Sequence, residues 1–201
     1  MRVWTVQDKA AYDDLCEKGV LRCDPTSAEL LTMDEFRRAY DWLVSEMKVR
    51  VGEPPEGVRY PIWAWYLLSG KNVKPDLRRT EFRGFVGENY VLEAEIPDQS
   101  VLLSDEIEWH FVLNNWYFPY APDDDEEAIE SEDEWFDGLP PQEQERVKRE
   151  SWKGVFDEAR CPWNFVQATF WELQKDQIVS VRKFHGRSRA DVRTVTTRNS
   201  G

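Results

Sequence analysis

Few side chains in this sequence are placed to do chemistry. The two histidines, His110 and His185, stand beside no plausible serine or cysteine motif, so a nucleophilic triad is hard to build. Cys16, Cys23 and Cys161 are odd in number, unclustered and without Cys-x-x-Cys spacing. They read as free thiols in a reducing cytoplasm, and with only two histidines no metal site is expected. No glycine-rich phosphate cradle or dinucleotide fingerprint occurs. What remains is a scattered set of donors, rings and charges. Arg2 and Thr5 offer hydrogen-bond donors; Trp63, Trp65 or Tyr66 an aromatic plane; Arg78 or Arg79 a planar fork suited to phosphate. Glu93 and Glu95 share the polar face of a strand and could stabilise a developing positive charge. Each also has a plainer reading. Trp63 and Trp65, at period two, fit a core; Arg78 and Arg79 fit solvated loop charges; Glu93 and Glu95 fit an exposed sheet face; His110 fits a structural role.

The chain that must position these groups has 201 residues, 41% of them hydrophobic, which suits one domain with a sizeable core. Its 26 Lys+Arg against 39 Asp+Glu give a net charge of −13. That disfavours a sequence-independent grip on nucleic-acid phosphates but leaves an unpaired strand or a nucleotide possible. No apolar stretch approaches the roughly 18 residues of a membrane span, and the opening Met1-Arg-Val-Trp-Thr reads as a strand rather than a signal peptide. A cytoplasmic protein with no membrane partner is expected.

Period and capping signals place the elements. Residues 1–7 alternate, with Arg2, Trp4 and Val6 on one face. Asp8 caps a helix that turns Ala11, Leu15 and Cys16 inward and stops at Gly19. Thr32-Met-Asp-Glu35 reads as a capping box before Phe36, Ala39, Tyr40, Leu43 and Met47 at helical spacing. Residues 58–66 form a strand and lead into a loop with Lys71, Lys74, Arg78, Arg79 and Arg83; Tyr90, Leu92, Ala94 and Ile96 line one face of another strand. Ser104-Asp-Glu caps a helix with Ile107, Phe111 and Val112, and Pro140-Pro141 starts one with Val147, Ser151, Trp152, Val155 and Phe156 inside. A strand covers residues 165–173, and a short amphipathic element runs through Ile178, Val181 and Phe184. Residues 123–134, from Asp123 to Glu134, hold nine acids in twelve positions. They are expected to form a mobile loop within residues 120–140, replaceable by a Gly/Ser linker at little cost in stability. The basic tail, residues 185–201, reads as disordered. Strands and helices mix without a βαβ rhythm, which argues a single α+β domain over residues 1–184.

Three segments together resemble the ADP-ribosyltransferase superfamily, in particular the toxin-like enzymes that modify DNA bases. Arg2-Val-Trp-Thr-Val-Gln7, followed by a helix ending Leu15-Cys-Glu-Lys-Gly19, is similar to that family's opening strand and helix. Val58-Arg-Tyr-Pro-Ile-Trp-Ala-Trp-Tyr66 looks like its aromatic strand beside the nicotinamide pocket, and Tyr90 to Pro97 fits another core strand. Val166-Gln-Ala-Thr-Phe-Trp-Glu-Leu173 is similar to the late strand that starts with the catalytic glutamate. The same features also resemble an uncharacterised bacterial family with Trp-Thr-x-Gln, Trp-His and Gln-Ala-Thr-Phe-Trp segments. The first resemblance implies a split, mostly antiparallel sheet with covering helices, NAD as substrate, and nucleic acid or protein as acceptor. Removal of a phosphate from RNA with NAD would share the fold. On this reading Arg2 and Thr5 serve the amide and ribose hydroxyls, Trp63, Trp65 or Tyr66 the nicotinamide, and Arg78 or Arg79 the pyrophosphate. Arg2, Tyr66 and Gln167 are then expected to converge. Gln167 stands where the family has its glutamate. Glu172 cannot replace it, being an odd number of residues away, so Glu93 and Glu95 are the better substitutes. A different class of function fits as well: a non-enzymatic interaction protein whose acidic loop and aromatic surface bind a basic partner.

Overall fold

The computed structural model describes residues 1–26, 31, 33–79, 82, 84–121 and 125–186, except for the side chain of Glu35. Strand β1 (Arg2–Asp8) alternates as its sequence requires and hands over directly to α1 (Lys9–Lys18). The Asp8 carboxylate accepts from Ala11 N at 2.8 Å, and Gly19, at φ 74°, returns its N–H to Leu15 O. That left-handed turn is one a side chain would strain, which is why the helix ends there. Leu15 points inward as expected, whereas Cys16 is exposed. Strand β2 (Val20–Arg22) follows, then α2 (Asp34–Arg50), which buries Ala39, Tyr40, Leu43 and Met47. Its N-cap is Met33, without a side-chain bond. The Thr32 half of the expected capping box lies outside the described residues, as does Arg83.

Strand β3 (Ile62–Leu68) begins four residues later than the sequence suggests; Val58 and Tyr60 are buried ahead of it in the connecting segment. Strands β4 (Glu88–Glu95) and β5 (Leu102–Asp105) come next. The second corrects an expected helix start. Ser104 and Asp105 belong to a strand, α3 (Trp109–Leu113) opens only after it, and Ile107 is exposed. The capping chemistry survives one residue along: the Asp105 carboxylate accepts from Ile107 N at 2.9 Å and Glu108 N at 3.1 Å.

The acidic run is the larger correction. Residues Glu126–Asp137 form a helix, α4, capped by the Asp125 carboxylate on Ala128 N at 3.0 Å. Acids in the first turn suit the positive end of the helix dipole. Helix α5 (Pro141–Ser151) has Pro at its first position and continues into a 3-10 turn, Trp152–Phe156, that buries Trp152 and Val155. Strand β6 (Phe165–Phe170) stops at Trp171. Residues Glu172–Gln174 then form a separate strand, β7, before β8 (Ile178–His185). His185 is thus the last residue of a strand, and residues 187–201 lie outside those described.

The strands make a six-stranded sheet in the order β5-β6-β3-β1-β4-β8, with every pairing antiparallel, and a small β2-β7 sheet beside it. This is the α+β class expected from the sequence, an antiparallel sheet with flanking helices. β1 registers seven residue pairs with β4 but only Trp4↔Trp65 with β3. Side chains strap the gap: Thr5 Oγ1 donates to Trp63 O at 2.7 Å, and Asn72 Nδ2 donates to Arg2 O at 3.0 Å and to Tyr66 O at 2.7 Å. One sheet face, with Val3, Ala64, Leu92, Ala168 and Phe170, is covered by Leu15 of α1 and by Leu21 and Leu173 of the small sheet. The other face carries Trp63 and Leu102 under α2, α3 and the 3-10 turn.

Candidate functional site

In an antiparallel ladder directly opposed residues point to the same face. The register therefore lines up Ser104, Gln167, Trp65, Trp4, Glu93 and Ser180 in one row across all six strands of the sheet. Arg2 and Glu95, opposite each other two residues along, share that face. So do Trp63 and Thr169 on the other side of the row. The sequence thus places Arg2, Trp63, Trp65, Glu93, Glu95 and Gln167 on one face of one sheet.

The row is unusually polar for a covered sheet. Trp4 and Ser104 are buried, yet Trp4 Nε1, Trp63 Nε1 and Ser104 Oγ meet no hydrogen-bond partner among the described residues. Trp65 is half-buried and meets the edge of Phe82 at 5.9 Å between ring centroids. Arg2, half-exposed, donates to Glu95 Oε1 at 2.9 Å and lies 3.5 Å from Glu93 Oε1. The Glu95 hydrogen bond, and then the Glu93 charge, hold the Arg2 guanidinium above its ordinary pKa. Ser180 Oγ donates to the second Glu93 oxygen at 2.9 Å.

Several expected members fall elsewhere. Tyr66 is the extra residue of a bulge in β3 and packs against the α1 side of the sheet, so Arg2, Tyr66 and Gln167 do not converge. Thr5 faces the α1 side as well; its hydroxyl serves the β3 backbone and accepts from Gln7 Nε2 at 2.7 Å. Glu93 cannot substitute for Gln167. Three strand spacings separate them, roughly 14 Å, so Glu93 and Glu95 serve Arg2 instead. Trp63 is largely core, packed edge-on against Tyr40 and close to Trp109. Arg78 is exposed and bidentate to Asp76, which lowers the Asp76 pKa to about 2. Arg79 contacts Ser69 Oγ at 3.3 Å and lies over the Phe165 ring. Glu172, on its separate strand, pairs with Arg22 at 2.9 Å.

Sequence reasoning missed Ser104, read as a helix cap, and Trp4, whose burial shows only once β1 lies between β3 and β4. It also missed Asn72, a loop asparagine that carried no local signal. Among the described residues no group of His, Cys, Asp and Glu is placed to hold a metal ion, and no helix is long and apolar enough to cross a membrane.

Comparison with known families gives a match over most of the chain. A domain of unknown function (DUF3841) matches residues 2–179, nearly the whole described chain. The chain belongs to that family. The DUF3841 span includes Arg2, Trp4, Trp65, Glu93, Ser104 and Gln167, and so the whole row apart from Ser180 at its β8 end. No curated protein and no solved structure matches the chain.

Proposed function

We propose that this chain is an NAD-binding protein of ADP-ribosyltransferase type, acting on a nucleic-acid or protein acceptor, with catalysis slowed by Gln167. The observation that carries the reading is the single-pair junction at Trp4↔Trp65, which divides the sheet into β5-β6-β3 and β1-β4-β8. On one face Trp65 stands at the junction, Arg2 beside it on β1, and Gln167 one strand beyond it on β6.

The donor set suits the substrate. Nicotinamide offers a carbonyl and a flat ring, and the riboses offer hydroxyls. The half-buried Gln167 amide can donate to such oxygens, and Trp65 offers a ring face. Arg2 supplies a fixed guanidinium at the outer end, held by Glu95 and Glu93. Cleaving the nicotinamide–ribose bond builds positive charge on the sugar. A carboxylate at residue 167 would stabilise it, whereas a glutamine amide binds hydroxyls without offering a charge.

The test is a thermal shift together with nicotinamide release. NAD raises the melting temperature by binding the native state, and Arg2→Ala reduces that shift while the apo protein stays folded. Gln167→Glu raises nicotinamide release by about 100- to 1,000-fold over wild type. Gln167→Ala weakens NAD binding. No thermal shift at millimolar NAD, with every protein folded, removes the reading.

A further inference from the structure

Away from the sheet, a cavity of about 520 Å³ opens between α4 and the segment that follows α3. Its walls are aromatic: Phe111, Trp116, Tyr117 and Phe136 line it, and Asp133 and Asp137, one helical turn apart on α4, stand at its side. Tyr117 and Phe136 stack with centroids 4.4 Å apart, and Trp116 sits edge-on to Phe111 while remaining 58% exposed. The remaining polar lining residue is Asn115, whose Oδ1 is buried without a partner among the described residues.

The electrostatics of these groups agree. Ring faces are negative, and so are carboxylates. Helix α4 adds further acids to a chain of net charge −13. Phe118, which also lines the cavity, already holds one guanidinium together with Tyr120. Arg160 lies 4.3 Å from the Phe118 ring and 4.1 Å from that of Tyr120, and donates to Pro119 O at 2.6 Å.

We infer that this cavity is a docking site for a cationic side chain, arginine or lysine, of a basic polypeptide partner. The occupant's charged head lies over the exposed ring of Trp116 and is paired by Asp133 and Asp137. This inference does not depend on NAD binding, since none of its residues belongs to the sheet face.

The test uses the full chain and two short acetylated, amidated peptides: one with two arginines spaced by glycine, and one with citrulline at both positions. Citrulline keeps the shape and removes the charge. Titration followed by tryptophan fluorescence and calorimetry is expected to show the arginine peptide binding at least tenfold tighter. Trp116→Ala and the pair Asp133→Asn/Asp137→Asn each weaken it by about 5- to 30-fold, the size of a partly desolvated cation–π contact or ion pair. Trp116→Phe recovers part of the loss. A control pair, Glu127→Gln/Glu134→Gln, removes the same charge from α4 at positions that do not line the cavity, and leaves affinity within about twofold. The inference is overturned if arginine and citrulline peptides bind alike. It is also overturned if the control pair costs as much as the Asp133/Asp137 pair, because attraction would then be diffuse. Trp116 is exposed enough that its variants test binding rather than folding.

Discussion

Among the described acids of its run, Glu132 makes the most contacts outside its own helix. The Tyr117 hydroxyl donates to it, as do Tyr120 N at 2.9 Å and Ala121 N at 2.9 Å, so one carboxylate ties α4 to the segment that lines the aromatic cavity. Partial burial pushes its pKa up, but these donors outweigh burial and the net shift is downward. The Tyr117 hydroxyl, partly buried and facing a carboxylate, is raised well above its ordinary value. A carboxyl whose folded pKa is depressed contributes stability above its unfolded value, near 4.3, and loses it as pH falls through the folded value. Glu132→Gln leaves one of three donors facing an NH2 group and should cost about 1–3 kcal/mol at neutral pH. Urea unfolding at pH 7 measures that cost. Repeated at stepwise lower pH, the gap between wild type and variant should narrow below about pH 4. A gap that persists unchanged into acid would mean that Glu132 acts by shape rather than charge. Nothing in the sequence separates Glu132 from its acidic neighbours, because its role is conferred by tyrosines that lie outside its own helix. The Arg2–Glu95 pairing was nearer to legible: period-two alternation puts each on a definite face, and only the strand order was missing.

At the scale of elements, local signals served where they were strong and not in competition. The Asp8 cap and the Gly19 stop fix α1 from its own residues. Ser104 failed because a Ser-Asp-Glu sequence suits both a helix start and a strand edge. Pairing of Leu102 with Thr169 and Ser104 with Gln167 decided for the strand. Helix α4 failed for a different reason. Nine acids suggest mutual repulsion, yet Asp125 supplies the cap, the first-turn acids favour the dipole, and Ile129 and Phe136, seven residues apart, face one partner surface. The expected harmless linker replacement is therefore reversed. Exchanging residues 126–137 for Gly/Ser of equal length removes the Tyr117–Phe136 stack and the Glu132 bonds. It should destabilise by about 2–4 kcal/mol, lowering the melting temperature by roughly 5–15 °C. Scanning calorimetry of the two proteins checks this. A melting temperature within a degree of wild type would mean that α4 rests on the domain without supporting it.

Across the whole molecule, one core closes two half-sheets from a single side. Leu15 packs in a cluster with Val3 and Leu92 of one half and Ala64, Ala168 and Phe170 of the other, so the α1 side ignores the division. On the opposite side α2, α3 and the 3-10 turn cover Trp63 and Leu102, while Arg2 and Glu95 stay substantially exposed. The antiparallel α+β class could be read from strand and helix rhythm, but the single-pair junction could not. The bulge at Tyr66 shifts β3 against β6 just after the paired Trp65, and a bulge leaves no reliable mark on one strand alone. With so little ladder between β1 and β3, the Asn72 amide takes the place of backbone bonds by serving Arg2 O and Tyr66 O. Amide exchange followed by NMR under native conditions should accordingly show Trp65 to Leu67 less protected than β4, since local opening there breaks fewer bonds. Asn72→Ala should widen the difference, costing about 0.5–1.5 kcal/mol overall because both freed carbonyls can turn to water. The β4–β8 ladder should keep its wild-type rates. If Asn72→Ala speeds exchange uniformly through all six strands, the halves open as one unit and the junction is no hinge. If only the junction responds, and NAD restores its protection, the place where the ladder thins is also the place where the ligand binds.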